Sequence, residues 1–190
     1  MNDTSQPLDY GPLAELIGTW QGDKGMDIAP EPEGTEENPY YETITFTAVG
    51  DVTNAESQRL AAVHYTQVVQ RKSNDEVFHH QTGYWLWDAE RNQVMQSLTI
   101  PRGLCVLAGG NWNGERDEEG RVRLEVIARL GDEDWGIVQS PFMRDNARTG
   151  EFVHHLQVGD GRLIYREITW LDIYDRLFEH TDSNELTRKS

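Results

Sequence analysis

The sequence predicts an all-β protein, an antiparallel up-and-down barrel of about ten strands preceded by one short N-terminal helix. Three observations carry this expectation. Runs of residues alternate with a period of two, as where Val122, Leu124, Val126 and Ala128 interleave with Arg121, Arg123, Glu125 and Ile127. Most runs are joined by short turns rich in Gly, Asn and Asp, such as Gly159-Asp160-Gly161. The first run opens on Gly18-Thr19-Trp20-Gln21-Gly22, a bulky indole between two glycines, as expected of a plug at the closed end of a barrel. A plugged barrel encloses a cavity, and the functional question becomes what the cavity holds.

Taken in order, residues 1–9 read as a flexible N-terminal arm and residues 10–190 as a single barrel domain. Leu13-Ala14-Glu15-Leu16-Ile17 gives one helix over 10–17, stopped by Gly18. A first strand covers 19–24. Asp27 to Asn38, with Pro30, Pro32, Gly34 and a cluster of Glu, reads as a loop. Tyr40 to Val49 alternates as a long strand, and Asp51 to Gln58 is a polar connection. Leu60 to Lys72 and Val77 to Trp87 form a hairpin, followed by strands over Gln93 to Ile100 and Leu104 to Gly110. A polar turn over Asn113 to Gly120 leads into Arg121 to Leu130, and Gly131 to Arg144 reads as irregular. Glu151 to Val158, Arg162 to Tyr174 and Leu177 to Arg188 complete the strands.

Charge and composition exclude several functions. The formal net charge of −16 repels nucleic acid and anionic membrane surfaces. No run approaches the roughly 20 apolar residues of a membrane-spanning helix. The N-terminus carries neither a basic region nor an apolar run, so no signal peptide is expected and a cytoplasmic location follows. Cys105 is the single cysteine, which rules out an intramolecular disulfide and a cysteine-based zinc site; its apolar surroundings predict an inert, buried thiol.

The histidines are the natural candidates for a metal or cofactor. His79 and His80 are neighbours on a strand and point to opposite faces, as do His154 and His155, so neither pair chelates one ion. An inward member of each pair reads as a hydrogen-bonded core residue. His180, near the end of the last strand, reads either as the axial ligand of a haem in the barrel mouth or as a surface residue. No nucleophile constellation surrounds Ser97 or Ser140, and Glu167 and Asp172 fall on opposite faces. Tyr84-Trp85-Leu86-Trp87 sends both indoles to one face. A cavity lined by such groups suits a flat or elongated apolar ligand, with Arg129 or Arg166 as candidates to meet a carboxylate.

The order of Gly18-Thr19-Trp20-Gln21-Gly22, Tyr40-Tyr41-Glu42-Thr43-Ile44-Thr45-Phe46, His79-His80-Gln81-Thr82-Gly83-Tyr84, Pro101-Arg102-Gly103, and His180 with Leu186-Thr187-Arg188 resembles the nitrobindin family. These are haem-binding β-barrels related in shape to fatty-acid-binding proteins. The resemblance implies a ferric b-type haem near the barrel mouth, held by His180, with nitric oxide chemistry and isomerisation of peroxynitrite to nitrate. The alternative is a non-enzymatic carrier of a fatty acid or another small apolar ligand; a homodimer is left open. The chain departs from the family pattern in three places. Lys24 stands where the family has its third glycine, and Met26 to Asn38 replaces a Tyr-Pro-Thr segment whose Thr touches the haem. One residue more than expected separates His180 from Arg188, which predicts a shifted or bulged ligand strand. At the closed end, Gly18, Trp20 and Gly22 with Arg188 as a cation–π lid form a structural closure.

Overall fold

The computed structural model describes residues 8–189; of the expected N-terminal arm, residues 1–7 lie outside the described residues. A 3-10 turn over Gly11–Leu16 leads into eleven strands: β1 (Gly18–Glu31), β2 (Gly34–Asn54), β3 (Gln58–Arg71), β4 (Val77–Asp88), β5 (Gln93–Ile100), β6 (Leu104–Asn111), β7 (Val122–Arg129), β8 (Ile137–Gln139), β9 (Ala147–Gly159), β10 (Arg162–Ile173) and β11 (Arg176–Arg188). One short helix, α1 (Pro141–Asn146), separates β8 from β9. The strands pair antiparallel in the order β5-β4-β3-β2-β1-β11-β10-β9-β7-β6, and a β5–β6 ladder closes the ring into the ten-stranded barrel the sequence predicts. The three-residue β8 lies outside this ring, paired with the Leu104–Val106 end of β6.

The strands differ from expectation where composition masks pairing. Asp27 to Asn38 is no loop: it holds the far ends of β1 and β2, paired from Asp27↔Asn38 to Glu31↔Gly34 around Pro32-Glu33. Its prolines are tolerated because both strands are edges there. β11 leaves β1 after Ile28, before Pro30, and β3 joins β2 only at Tyr40, after Pro39. Asp51 to Gln58 likewise extends the β2–β3 hairpin, with Ala55 and Glu56 at positive φ in its turn. The irregular stretch 131–144 contains β8 and the start of α1, whose first turn is capped by Ser140 Oγ accepting from Met143 N.

The last strand is not the bulged one. β11 pairs with β10 without a register shift from Arg176 to Thr187, while β1 bulges against both of its neighbours between Gly22 and Gly25. Gly25 is required there, because a Cβ would sit 2.1 Å from the Tyr40 ring. β11 therefore keeps its alternation, and His180, Asp182, Asn184 and Leu186 all point inward.

One end of the barrel is packed shut. Trp20, Leu13 and Leu16 are fully buried with Trp85, Val63 and Leu163, and Trp20 Nε1 donates to Leu16 O at 2.7 Å, fixing the 3-10 turn across the opening. A layer of buried polar groups follows. Glu42 accepts from Gln67 Nε2 (2.7 Å), Tyr165 OH (2.9 Å) and Asn184 Nδ2 (2.8 Å), and the Tyr40 and Tyr165 hydroxyls lie 2.7 Å apart. Beyond this layer the barrel is hollow toward α1.

Candidate functional site in the barrel mouth

The hollow is a cavity of about 550 Å³ lined by residues of most strands and by Phe142 and Met143 of α1. That volume is in the range of small-molecule sites. Leu98, Ile100, Leu104, Val106, Phe152 and Leu171 form apolar walls, while Arg71 and Arg102 also line the hollow. Arg129 and Arg166, the arginines expected inside, point outward and pair with Glu151 and Glu179. On strands this regular, an even–odd miscount moves a side chain through the wall.

The polar side of the cavity is built by three adjacent strands. Register places Asp27 of β1 beside Asp182 of β11, and Asp182 beside Glu167 of β10, with His180 two residues further toward the mouth. His180 Nε2 lies 2.8 Å from Asp27 Oδ1 and 3.6 Å from Asp182 Oδ2. Asn38 Nδ2 holds the other Asp27 oxygen at 3.1 Å, and Arg71 Nε donates to Asn38 Oδ1 at 3.3 Å. Asp27 is thereby fixed from behind and turned toward the imidazole.

Electrostatics follow from this packing. Burial opposes a charge on His180, but the Asp27 hydrogen bond and the Asp182 and Glu167 charges outweigh it and raise the pKa above its ordinary value. Burial, then the neighbouring Asp27 charge, pushes the Asp182 carboxyl up to about 7 despite His180. Burial and Asp182 push Glu167 up to about 8. His79 lines the cavity as well, and burial lowers it to about 4 against a 3.3 Å contact with Gln81 Oε1.

The inward and outward histidines sort as alternation predicts. His154 is buried with Nδ1 at 2.9 Å from Gln96 Oε1, while His155 meets Glu125 on the outer face. Burial, with a smaller contribution from His155, lowers His154 to about 3. Trp85 and Trp87 are buried and Tyr84 is exposed. Cys105 contradicts its expected burial: it is exposed, because Leu104 and Val106 occupy the inner face of β6. Gly18, Trp20, Gly22 and Arg188 gather at the opposite end from His180, with the Arg188 guanidinium 4.6 Å from the Trp20 ring centre and bonded to Ile17 O. Asp182 was recoverable from sequence, sharing the parity of His180 two residues on. Asp27 and Asn38 were hidden by the Pro- and Glu-rich composition of their hairpin.

A haem iron needs a free imidazole nitrogen, and here Asp27 occupies His180 Nε2. The size and apolar walls of the cavity suit a flat macrocycle, and His180 can offer its iron Nε2 only by giving up the Asp27 hydrogen bond. Among the described residues no helix is long and apolar enough to cross a membrane.

No curated protein sequence matches the chain. The crystal structure of Rv2717c from M. tuberculosis shares the fold, with a TM-score of 0.68 over 96% of this chain and 100% of that one, at 19% identity. The family model of the THAP4-like, heme-binding beta-barrel domain matches residues 9–188. The chain, a closed barrel with a ligand-sized hollow behind α1, belongs to that family, the nitrobindin family.

Proposed function

We propose that residues 10–190 form one binding domain that takes a small, largely apolar ligand into the mouth cavity, and that ferric b-type haem is the ligand its family points to. The observation that carries this reading is the hollow itself: about 550 Å³, with Leu98, Ile100, Leu104, Val106 and Phe152 among its apolar walls and polar groups spread over several strands. If haem binds, nitric oxide and peroxynitrite chemistry belongs to the iron and asks for no protein nucleophile. His180 is the proposed axial ligand, on the condition that Asp27 releases Nε2. No iron-dependent step is derived from the present arrangement.

Ferric haem titrated into the purified apoprotein tests this. Wild type is expected to show a weak Soret shift. Asp27→Ala, which frees Nε2, should strengthen it at least about tenfold, by analogy with changes around metal-bound histidines. His180→Ala should abolish the ligated band. An unchanged band in His180→Ala, or no gain in Asp27→Ala, removes His180 from the role.

Arg71 and Arg102 favour the second reading, a carrier of a fatty acid or similar amphiphile, because a guanidinium beside an apolar wall suits a carboxylate head on an apolar tail. Organic extraction of gently purified protein followed by mass spectrometry separates the two. An extract free of amphiphiles from protein that also rejects a fluorescent fatty acid excludes the carrier.

A further inference from the structure

We propose that Arg71 and Arg102 clamp the carboxylate of an apolar ligand at the rim of the hollow, so that a fatty-acid-like molecule enters tail first and keeps its acid group at the mouth. This rests on the carrier reading of the cavity and adds the ligand's charge and orientation to it. Both arginines line the hollow, and both meet Phe78 of β4. Arg71 lies over the Phe78 ring, 4.5 Å from its centre, and its Nε donates to Asn38 Oδ1 at 3.3 Å. The guanidinium is thereby held in place, while Nη1 has only a 3.9 Å ion pair with the exposed Glu76. Arg102, in the turn between β5 and β6, makes no ion pair among the described residues, and its hydrogen bond from Nη2 to Phe78 O is long, at 3.4 Å. Two guanidinium forks with N–H groups to spare, side by side in a chain of net charge −16, suit an incoming carboxylate.

The residues below the rim set the orientation. Arg71 is four residues beyond inward-facing Gln67 on β3, so about 13 Å of strand separates the rim from the floor. Leu98, Val106 and Phe152 wall that depth and suit an acyl tail. A carboxylate at the floor would meet Glu167 and the polar layer around Glu42, and no lysine or arginine lines the hollow there. His180 already faces Asp27 and Asp182, and burial keeps His79 neutral by lowering it to about 4. Glu36 also lines the hollow but pairs with neither arginine among the described residues. Guanidinium groups at the rim and carboxyls at the floor favour one way in for an anionic amphiphile.

The purified chain is titrated by calorimetry with decanoate and with methyl decanoate near neutral pH. Decanoate is expected to bind at least about tenfold more tightly than its ester. Arg102→Gln should remove most of that margin and leave the ester's affinity unchanged, and Arg123→Gln, on the exposed outer face, should change neither. Equal affinities in wild type, or a margin that survives Arg102→Gln, overturn the clamp and leave the carrier reading intact. Rejection of both compounds overturns the two together. Orientation is read by NMR of decanoate labelled with ¹³C at its carboxyl. Between the two arginines the bound carboxyl should ionise below its free value, whereas beside Glu167 it would ionise above it. A bound carboxyl whose pKa is raised or unshifted overturns the proposal.

Discussion

Arg188 uses its guanidinium twice, stacking over Trp20 and donating to the carbonyls of Glu15 and Ile17 at the end of the 3-10 turn. A planar fork can do both, whereas an ammonium can only supply charge. Arg188→Ala is therefore expected to cost roughly 1–2 kcal/mol, and Arg188→Lys to recover only part of it. Trp20→Ala, which opens a hole in a fully buried plug, should cost about 3–5 kcal/mol. Urea midpoints with unchanged slopes would check both. Equal midpoints for Arg188→Ala and wild type would mean that the 3-10 turn holds without its clasp.

At the scale of elements, the bulge of β1 between Gly22 and Gly25 gives β1 one residue more than β2 opposite it without turning over the last strand. Its geometry depends on Gly25 passing against the Tyr40 ring. Gly25→Ala is expected to cost more than about 2 kcal/mol, through displacement of Tyr40 and its contact with Tyr165. A thermal melt measures this. A melting temperature within error of wild type would show that Tyr40 can move freely. The same strand explains what could be read in advance. That one of His154 and His155 faces in and the other out, and that Trp85 and Trp87 share a face, were legible because their strands alternate cleanly with a period of two; which face is the inner one was not. Cys105 was misjudged because Leu104 to Leu107 is apolar on both faces, so alternation has nothing to register there. Asp27 was illegible because strand formation at 27–38 rests on pairing between two edges, which composition does not report. β8 was too short to be distinguished from the irregular chain around it.

For the whole molecule, the interior sets a pH dependence of stability. Burial raises Glu42 to about 7 in spite of hydrogen bonds from Asn184, Gln67 and Tyr165, and Glu167 and Asp182 are raised as well. In the unfolded chain these carboxyls ionise near their ordinary values. The stabilisation these carboxyls contribute is therefore full below about pH 4 and is lost as pH rises through 7 to 8. His154 and His79 are depressed, so the unfolded chain takes up their protons first as pH falls below about 6.5, and stability declines toward pH 3–4. A maximum in the weakly acidic range is expected in chemical denaturation across pH. Glu42→Gln should flatten the alkaline limb by an amount on the order of 2 kcal/mol. An alkaline limb as steep as that of wild type would show that Glu42 does not titrate in this range.

Asp27 and His180 are 153 residues apart and meet because the first strand is zipped to the last. The site thus lies on the seam where the two halves of the chain's journey join. Contacts of such long sequence separation carry the largest loop-closure entropy and characterise slow-folding topologies. A barrel missing only that seam would still own most of its core yet have no polar wall, so ligand competence and ring closure are one event, and the site doubles as a gauge of whether the chain has finished folding.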